Sequence, residues 1–179
     1  MPFDYQPTLK GTLLELRPLR QDDFDDLFAV ASDPLIWEQH PEPTRWTPKV
    51  FRRFFDDAIA SGGALIALDA QTQEVIGSSR FFDYDEATGE VEIGWSFLAL
   101  KCWGGRYNGE MKDLMLRHAF RFARVAVFLI GPKNIRSQKA IQKIGGVRDG
   151  SRFVNGRDNY IFTITAPDLQ FAHVDKADP

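Results

Sequence analysis

The sequence predicts a single α/β domain: one mixed, mostly antiparallel sheet flanked by helices on both faces. Three observations carry that expectation. Apolar residues recur at helical spacing in four segments, the pattern of helices that each lay one side on a core. Between the second and third of these lie three strand-like runs joined by short polar links, the arrangement of an antiparallel meander. Between the third and fourth comes "VAVFLI", residues 125–130, a short unbroken apolar run of the kind a strand shows when both its faces are covered.

The whole chain bounds the answer further. At 179 residues it is long enough for one well-formed core and short for two. Residues 1–179 therefore read as one domain, with a polar tail from about Ala166 expected to fray. A formal net charge of −3 lacks the basic excess of a nucleic-acid binder. Cys102 is the only cysteine, which leaves no disulfide frame and no thiolate metal cluster and fits a reducing compartment. The opening "MPFDYQPTLK" has no apolar run suited to a signal peptide, and no stretch approaches membrane-spanning length. The expectation is a soluble cytoplasmic protein, monomer or homodimer, with no metal and with neither nucleic acid nor membrane as partner.

Each element has its own reason. "TLLELRPL", residues 12–19, reads as a strand ended by Pro18. Phe24, Leu27, Phe28 and Ala31 then form a helical stripe whose acidic first turn suits the helix dipole. "WEQHPEPTRW", residues 37–46, holds two prolines and two tryptophans and predicts no regular element. Thr47 suits an N-cap and Pro48 the first helical position; Phe51, Phe54, Phe55 and Ala58 form the stripe, and Gly62 and Gly63 stop it. The meander follows as "ALIALD", "EVIGSSRFFDY" and "EVEIGWSFLAL", linked by "AQTQ" and "DEATG". Strict alternation in the third strand would put Val91, Ile93, Trp95 and Phe97 on one face. It would put Glu90, Glu92, Gly94, Ser96 and Leu98 on the other. The next helix presents Met111, Leu114, Met115, His118, Ala119, Phe122 and Ala123. "NIRSQKAIQKIGG" presents Ser137, Ala140, Ile141 and Ile144 and ends at its glycines. "VRDGSRFV", the turn "NGRD" and "NYIFTIT" close as a hairpin.

The stretch that points to chemistry is "KCWGGRYNGEMK", residues 101–112. A strand, a glycine turn and a helix mouth together aim several unpaired N–H groups outward, with roughly half a positive charge from the helix dipole. Gly104 and Gly105 lack the side chains that would hold a bulky anion away. A tight turn needing positive φ is the alternative use of the same residues. The pattern is neither GxGxxG nor GxxxxGK[ST], which disfavours a Rossmann dinucleotide site or a nucleoside-triphosphate loop. The prediction is a phosphate or pyrophosphate cradle.

"WGGRYNGEMKDLMLRHAF" resembles the W-G-x-G-Y-x-x-E segment of the GNAT (Gcn5-related) N-acetyltransferases, in their RimJ/RimL-like ribosomal-protein branch. "LLELRPLRQDD" is similar to that family's first strand and helix, and "EVEIGWSFL" to its fourth strand. "VFLIGPKNIRSQKAIQKIGGVRDG" is similar to its fifth strand and following helix, with the N-x-x-S and K-x-G elements. The resemblance implies direct transfer of an acetyl group from acetyl-CoA to a primary amine in a ternary complex. The acceptor is a protein N-terminus, an amino acid or a small amine. The family's acyl-CoA motif, Q/R-x-x-G-x-G/A, falls on Lys101, Cys102, Trp103, Gly104, Gly105 and Arg106. Lys101 stands in for Gln or Arg, Arg106 for a small residue, and Asn108 for another. By resemblance, Trp103, Gly104, Gly105, Arg106, Tyr107 and Asn108 form the cradle. Backbone near Leu98 and Leu100 pairs with the pantetheine arm where strand four splays from strand five. Asn134 and Ser137 contact the cofactor from the other side. Read on its own residues, Asn134 is an N-cap; the two roles are compatible.

Acetyl transfer needs a deprotonated amine, a stabilised acyl oxygen and a thiolate free to leave. The resemblance implies a backbone N–H near Leu98 for the oxygen. Glu92, read as sharing a face with Leu98, is the candidate base, with a structural carboxylate bonded to the helix at residues 107–110 as the alternative. Many relatives protonate the thiolate with a tyrosine at the position that Ile141 holds here, so Ser137, one turn earlier, is the candidate donor. Trp37, Glu38, His40, Arg45 and Trp46, with the "DYDEATGE" loop, are expected to shape the acceptor site, although His40 also reads as a surface residue. His118 falls on a core stripe, and Glu110 reads as structural before catalytic. Cys102 has no histidine placed to activate it, and direct transfer makes a covalent cysteine unnecessary. A non-catalytic CoA-binding module and an acyl-CoA thioester hydrolase remain the competing readings.

Overall fold

The computed structural model describes residues 2–154 and 156–166. Its strands are β1 (Leu9–Lys10), β2 (Leu14–Pro18), β3 (Ala64–Asp69), β4 (Val75–Asp85), β5 (Glu90–Leu98), β6 (Val125–Ile130), β7 (Val147–Val154) and β8 (Arg157–Thr165). Its helices are α1 (Phe24–Ala31), α2 (Pro48–Ala60), α3 (Tyr107–Ala119) and α4 (Ile135–Lys143). The strands form one sheet in the order β1-β2-β3-β4-β5-β6-β8-β7. Every neighbouring pair is antiparallel except β5 and β6. The mixed sheet, the meander and the closing hairpin are as the sequence predicts; the two-residue β1 is an addition. The tail beyond Ala166 lies outside the described residues.

Helices cover both faces because each buries one stripe. Under α1 and α2, Leu27, Ala31, Trp37, Phe51, Phe55 and Phe97 form one core. On the opposite face Val91, Ile93, Leu98, Met111, Met115, Phe128, Ile141 and Phe162 form the other, larger core. Each fully buried side chain of this size contributes about 1.5–3 kcal/mol. Three local expectations are adjusted. Thr47 has the extended backbone of an N-cap, yet its hydroxyl donates to the Thr44 carbonyl (2.9 Å) and not to the helix. Helix α3 stops at Ala119, so Phe122 and Ala123 pack on its core from the turn that follows. Its buried face also includes Lys112 and Leu116, whereas Leu114 is only partly buried. Helix α4 closes as expected: Gly145 takes φ +99°, its N–H donates to the Gln142 carbonyl (3.1 Å), and the Gly146 N–H donates to that of Ile141 (2.9 Å).

Two irregularities in β5 position the site. Ser78 pairs with Phe97 while Arg80 pairs with Gly94, so Ser79 alone faces both Trp95 and Ser96. That extra residue is a β-bulge, and Trp95 absorbs it with φ +53°. A bulge reverses the alternation beyond it. Val91 and Ile93 therefore share the α3 face with Ser96 and Leu98, while Trp95 and Phe97 turn to the α1–α2 side with Glu92. The expectation that Glu92 and Leu98 share a face is corrected: they lie on opposite faces. The second irregularity is a splay. The β5–β6 pairing runs through Glu90, Val91 and Glu92 against Val125, Ala126 and Val127, and there it stops. Strand β6 continues beside β8 and β5 beside β4, which opens a wedge between them.

Candidate active site

The wedge opens into a cavity of about 790 Å³. Its walls come from the turn and first residues of α3 (Gly104, Gly105, Arg106, Asn108, Gly109), from β5 (Ser96, Phe97, Leu98) and from α4 (Asn134, Ser137, Ala140). Trp37 and His40, from the segment before α2, also line it. The cavity thus runs from the helix mouth, along the unpaired edge of β5, toward the α1–α2 side.

At the helix mouth the backbone is ready for an anion. The first helical bond is donated by Glu110 to the Arg106 carbonyl (2.9 Å). Among the described residues, nothing accepts from the N–H groups of residues 104–109. Gly104 takes φ +70°, and a Cβ added at Gly104, Gly105 or Gly109 would meet nothing within 4 Å. The turn needs a left-handed residue, and the space beside it is open, as a bulky anion would require. Arg106 and Lys143 bring positive charge to the same walls. Lys101 does not, being paired with Glu74 (2.6 Å). Asn134 caps α4, its Oδ1 accepting from the Ser137 N–H (3.2 Å), and also stands on the cavity wall with Ser137.

Behind Ser96 on the cavity wall is a polar group that the sequence hides. Lys112 is only 3% exposed, and its Nζ donates to the hydroxyls of Ser96 and, at 3.4 Å, Ser79. The two hydroxyls are 2.8 Å apart. Burial pushes the Lys112 ammonium down to about 7. Periodicity reads a lysine between Met111 and Asp113 as solvent-facing, and alternation without the bulge sends Ser96 to the wrong face. A lysine flanked by buried-stripe residues at i−1, i+3 and i+4 was the available signal for Lys112.

A family model described as "Acetyltransferase (GNAT) domain" matches residues 14–147. The chain belongs to the GNAT acetyltransferase family. No curated protein sequence matches it. Solved structures share its fold. A probable GNAT-family acetyltransferase from Chromobacterium violaceum is 19% identical with TM-score 0.82, covering 94% of this chain and 91% of that one. Mycobacterium smegmatis RimJ in complex with CoA-disulfide is 20% identical with TM-score 0.67, covering 91% and 88%. Spermidine N-acetyltransferase from Vibrio cholerae in complex with CoA and spermine is 17% identical with TM-score 0.68, covering 89% and 99%. As a GNAT enzyme the protein is an acyltransferase that uses acetyl-CoA for N-acetylation of an amine acceptor.

The GNAT cradle and wedge fit a pyrophosphate with a linear arm, because the free N–H groups and the open β5 edge share one cavity. The remaining expected residues fall in different places. Tyr107 lies off the cavity wall, its hydroxyl donating to Asp69 (2.8 Å). Leu100 sits in a short 3-10 turn against the α1–α2 core, with its carbonyl taken by the Trp103 N–H (3.0 Å). The Leu98 carbonyl accepts from the Trp103 indole (2.9 Å), and the Arg136 guanidinium stacks on that ring at 3.9 Å. Arg136 also lines the cavity and reaches the Ile36 carbonyl (3.1 Å), so it joins α4 to the acceptor-side segment; sequence reading missed it.

On that side Trp37 is 2% exposed and anchored by its indole N–H to the Ala31 carbonyl (2.7 Å). His40 Nδ1 accepts from the Glu42 N–H (2.9 Å), and Arg45 lies 3.2 Å from Nε2. Burial, then the Arg45 charge, drives His40 down to about 3, so the ring is neutral. The Arg45 guanidinium packs on Trp37 and Phe54 at 5.0 and 4.4 Å. Glu38 and Trp46 are not on the cavity wall, and Trp46 is 40% exposed. Glu92 is also off the wall; burial pushes its carboxyl up to about 7, against the pull of Arg152 and with help from Asp83.

Three residues are structural. Glu110 accepts from the N–H groups of Thr12 (3.0 Å), Leu13 (2.7 Å) and Leu14 (2.9 Å) and from the Thr12 hydroxyl (2.6 Å), tying α3 to β2. His118 is buried among Phe3, Phe81 and Phe122, with Nε2 donating to the Asp4 carbonyl (2.7 Å). Burial pushes the Cys102 thiol up, away from thiolate chemistry. Among the described residues no His, Cys, Asp and Glu cluster could hold a metal ion, and no helix is long and apolar enough to cross a membrane.

Proposed function

We propose that this GNAT enzyme is a cytoplasmic, RimJ/RimL-like N-acetyltransferase that moves an acetyl group directly from acetyl-CoA to a primary amine in a ternary complex. The observation that carries the reading is the continuity of one cavity from the N–H cradle at residues 104–109, through the β5–β6 wedge, to Trp37 and His40. The arrangement lets a CoA ester enter from one face and an amine from the other, with no covalent enzyme intermediate needed. In this reading the cradle N–H groups and Arg106 hold the pyrophosphate, and Asn134 and Ser137 bound the arm from α4. The Leu98 carbonyl pairs with the arm once the Trp103 indole turns away. Ser137 hydrogen-bonds the departing sulfur, directly or through a water that supplies the proton, since Ile141 is buried in the core and has no proton to give. Glu92, raised by burial, draws the amine proton through water, because it lies on the acceptor face and off the cavity wall. The acceptor is a protein N-terminus, an amino acid or a small amine.

The test is thiol release from acetyl-CoA across a panel of amino acids, polyamines and N-terminal peptides. Amine-dependent release with a matching acetylated product is expected. Amine-independent release would make the protein a thioester hydrolase, and CoA binding without release would make it a binding module.

A further inference from the structure

We propose that Ser96, backed by Lys112, is a side-chain hydrogen-bond donor to the acyl oxygen of the thioester, a second donor beside the β5 backbone. The inference rests on the transferase reading of the same cavity. Its ground is the placement of a buried cation directly behind an exposed hydroxyl. Lys112 is 3% exposed, and its Nζ meets Ser96, Ser79 (3.4 Å) and the face of the Phe128 ring (5.7 Å). None of these carries a negative charge. An ammonium buried without a carboxylate is costly, and a fold that only needed to fill space would have an apolar side chain there.

The proton inventory allows the Ser96 hydroxyl to point outward. A serine oxygen has two acceptor sites and one proton. As an ammonium, Lys112 Nζ can only donate, and it donates to Ser96. Ser79, itself 1% exposed, lies 2.8 Å from Ser96, where either hydroxyl can donate to the other; in the proposed arrangement Ser79 is the donor. With Lys112 and Ser79 both donating to it, Ser96 can turn its own proton outward; the protein acceptors that compete for that proton are the Ser79 hydroxyl at 2.8 Å and the Gly94 carbonyl at 3.4 Å. Ser96 stands on the cavity wall, so outward means into the cavity. Donation from a cation into Ser96 strengthens the bond that Ser96 makes in turn.

Position in the wedge supplies the rest. Pairing between β5 and β6 ends at Glu92 and Val127, and Ser96 follows within the bulge. The anion cradle lies at the other end of the same β5 edge, beyond Leu98. A linear ester anchored at the cradle and threaded along that edge brings its acyl end to Ser96. Negative charge develops on the acyl oxygen as the amine adds, and a fixed donor backed by a cation in a dry site is worth most at that moment. Lys112 acts through Ser96 and is a positioning residue; Ser96 is the one that touches the substrate.

The experiment uses the best amine found for the wild-type enzyme and compares Ser96→Ala, Lys112→Met and Lys112→Gln. Melting temperature, KM for acetyl-CoA and kcat against pH are read for each. Ser96→Ala is expected to lower kcat about a hundredfold and Lys112→Met about tenfold or more, with KM for acetyl-CoA within about threefold. Lys112→Met should melt no lower than wild type, because an apolar chain replaces a buried cation. Burial alone shifts Lys112; no charged side chain of β4, β5 or β6, or Glu110 on its own helix, acts on it. The wild-type kcat profile should therefore carry an alkaline limb near neutrality that disappears in Lys112→Met. Full kcat in either Ser96→Ala or Lys112→Met, or an unchanged alkaline limb in Lys112→Met, overturns the inference while leaving the transferase intact. If Lys112→Met melts early and Lys112→Gln keeps full kcat, the cation is structural and the inference falls. No amine-dependent release by the wild type would remove the transferase reading itself.

Discussion

Replacing Glu92 with Gln probes the central electrostatic tension of β5. Folding carries this carboxyl from 4.5 to about 7, chiefly by burial. Between those two pH values the folded chain keeps a proton that the unfolded chain has released, so stability falls as pH rises through the window. At about 1.4 kcal/mol per pH unit, the span from 4.5 to about 7 amounts to roughly 3 kcal/mol, absent below the window and fully felt above it. Gln keeps the shape of the neutral acid and cannot ionise. Glu92→Gln should therefore match the wild type within about 1 kcal/mol at pH 4.5 and exceed it by roughly 2–3 kcal/mol at pH 8. In a domain of this size that corresponds to a rise of roughly 5–10 °C in Tm. Circular dichroism melts of both proteins at the two pH values measure it directly. A Tm difference that stays the same at pH 4.5 and pH 8 would refute the argument that the folded state penalises the ionised carboxylate. If Glu92 is also the base, kcat drops about a hundredfold and the acidic limb of its profile vanishes; a profile of unchanged shape would leave Glu92 structural.

Further outcomes follow from other parts of the cavity. Acetyl-CoA at a hundred times Kd should stabilise the protein by about 2.7 kcal/mol, visible as a raised Tm, and Gly104→Asp should abolish that gain. The substitution places a like charge in the open space at φ +70°, so a folded mutant that still binds CoA would put the anion elsewhere. Ser137→Ala should slow turnover by roughly ten- to a hundredfold, with Ile141→Ala costing mainly stability. A loss wholly in CoA affinity would make Ser137 a binding residue. Glu110→Ala strips the acceptor from three backbone N–H groups and a hydroxyl, and urea titration should show a loss of about 2–4 kcal/mol. An unchanged midpoint would mean that water takes over all four bonds.

Much of the fold was legible because its signals are local. Phe51, Phe54 and Phe55 mark the α2 stripe without reference to any other segment, and Gly145 marks the end of α4 by its own backbone preference. The open glycine turn before α3 was legible for the same reason: it is a property of a few adjacent residues. The bulge at Trp95 was not, because it exists only in the register between β4 and β5, and no pattern within β5 announces it. One unseen residue then reversed the faces of Ser96 and Leu98 relative to Glu92. Lys112 escaped for a related reason. Its burial depends on the two serines that meet it from other strands, and helical spacing weighs a charge as solvent-facing.

The sheet has a separate core on each face, and this shapes how the molecule can change. Residues such as Phe55 and Met115 belong to different clusters, with Trp103 flanking both. Substitutions in the two cores should then combine nearly additively. A lineage could recarve the α1–α2 face around a new acceptor without disturbing the helix mouth that holds the acyl donor. The partition is pierced at the β5–β6 wedge, where the cavity draws walls from both sides. Drift is cheap on either face and confined only along that seam.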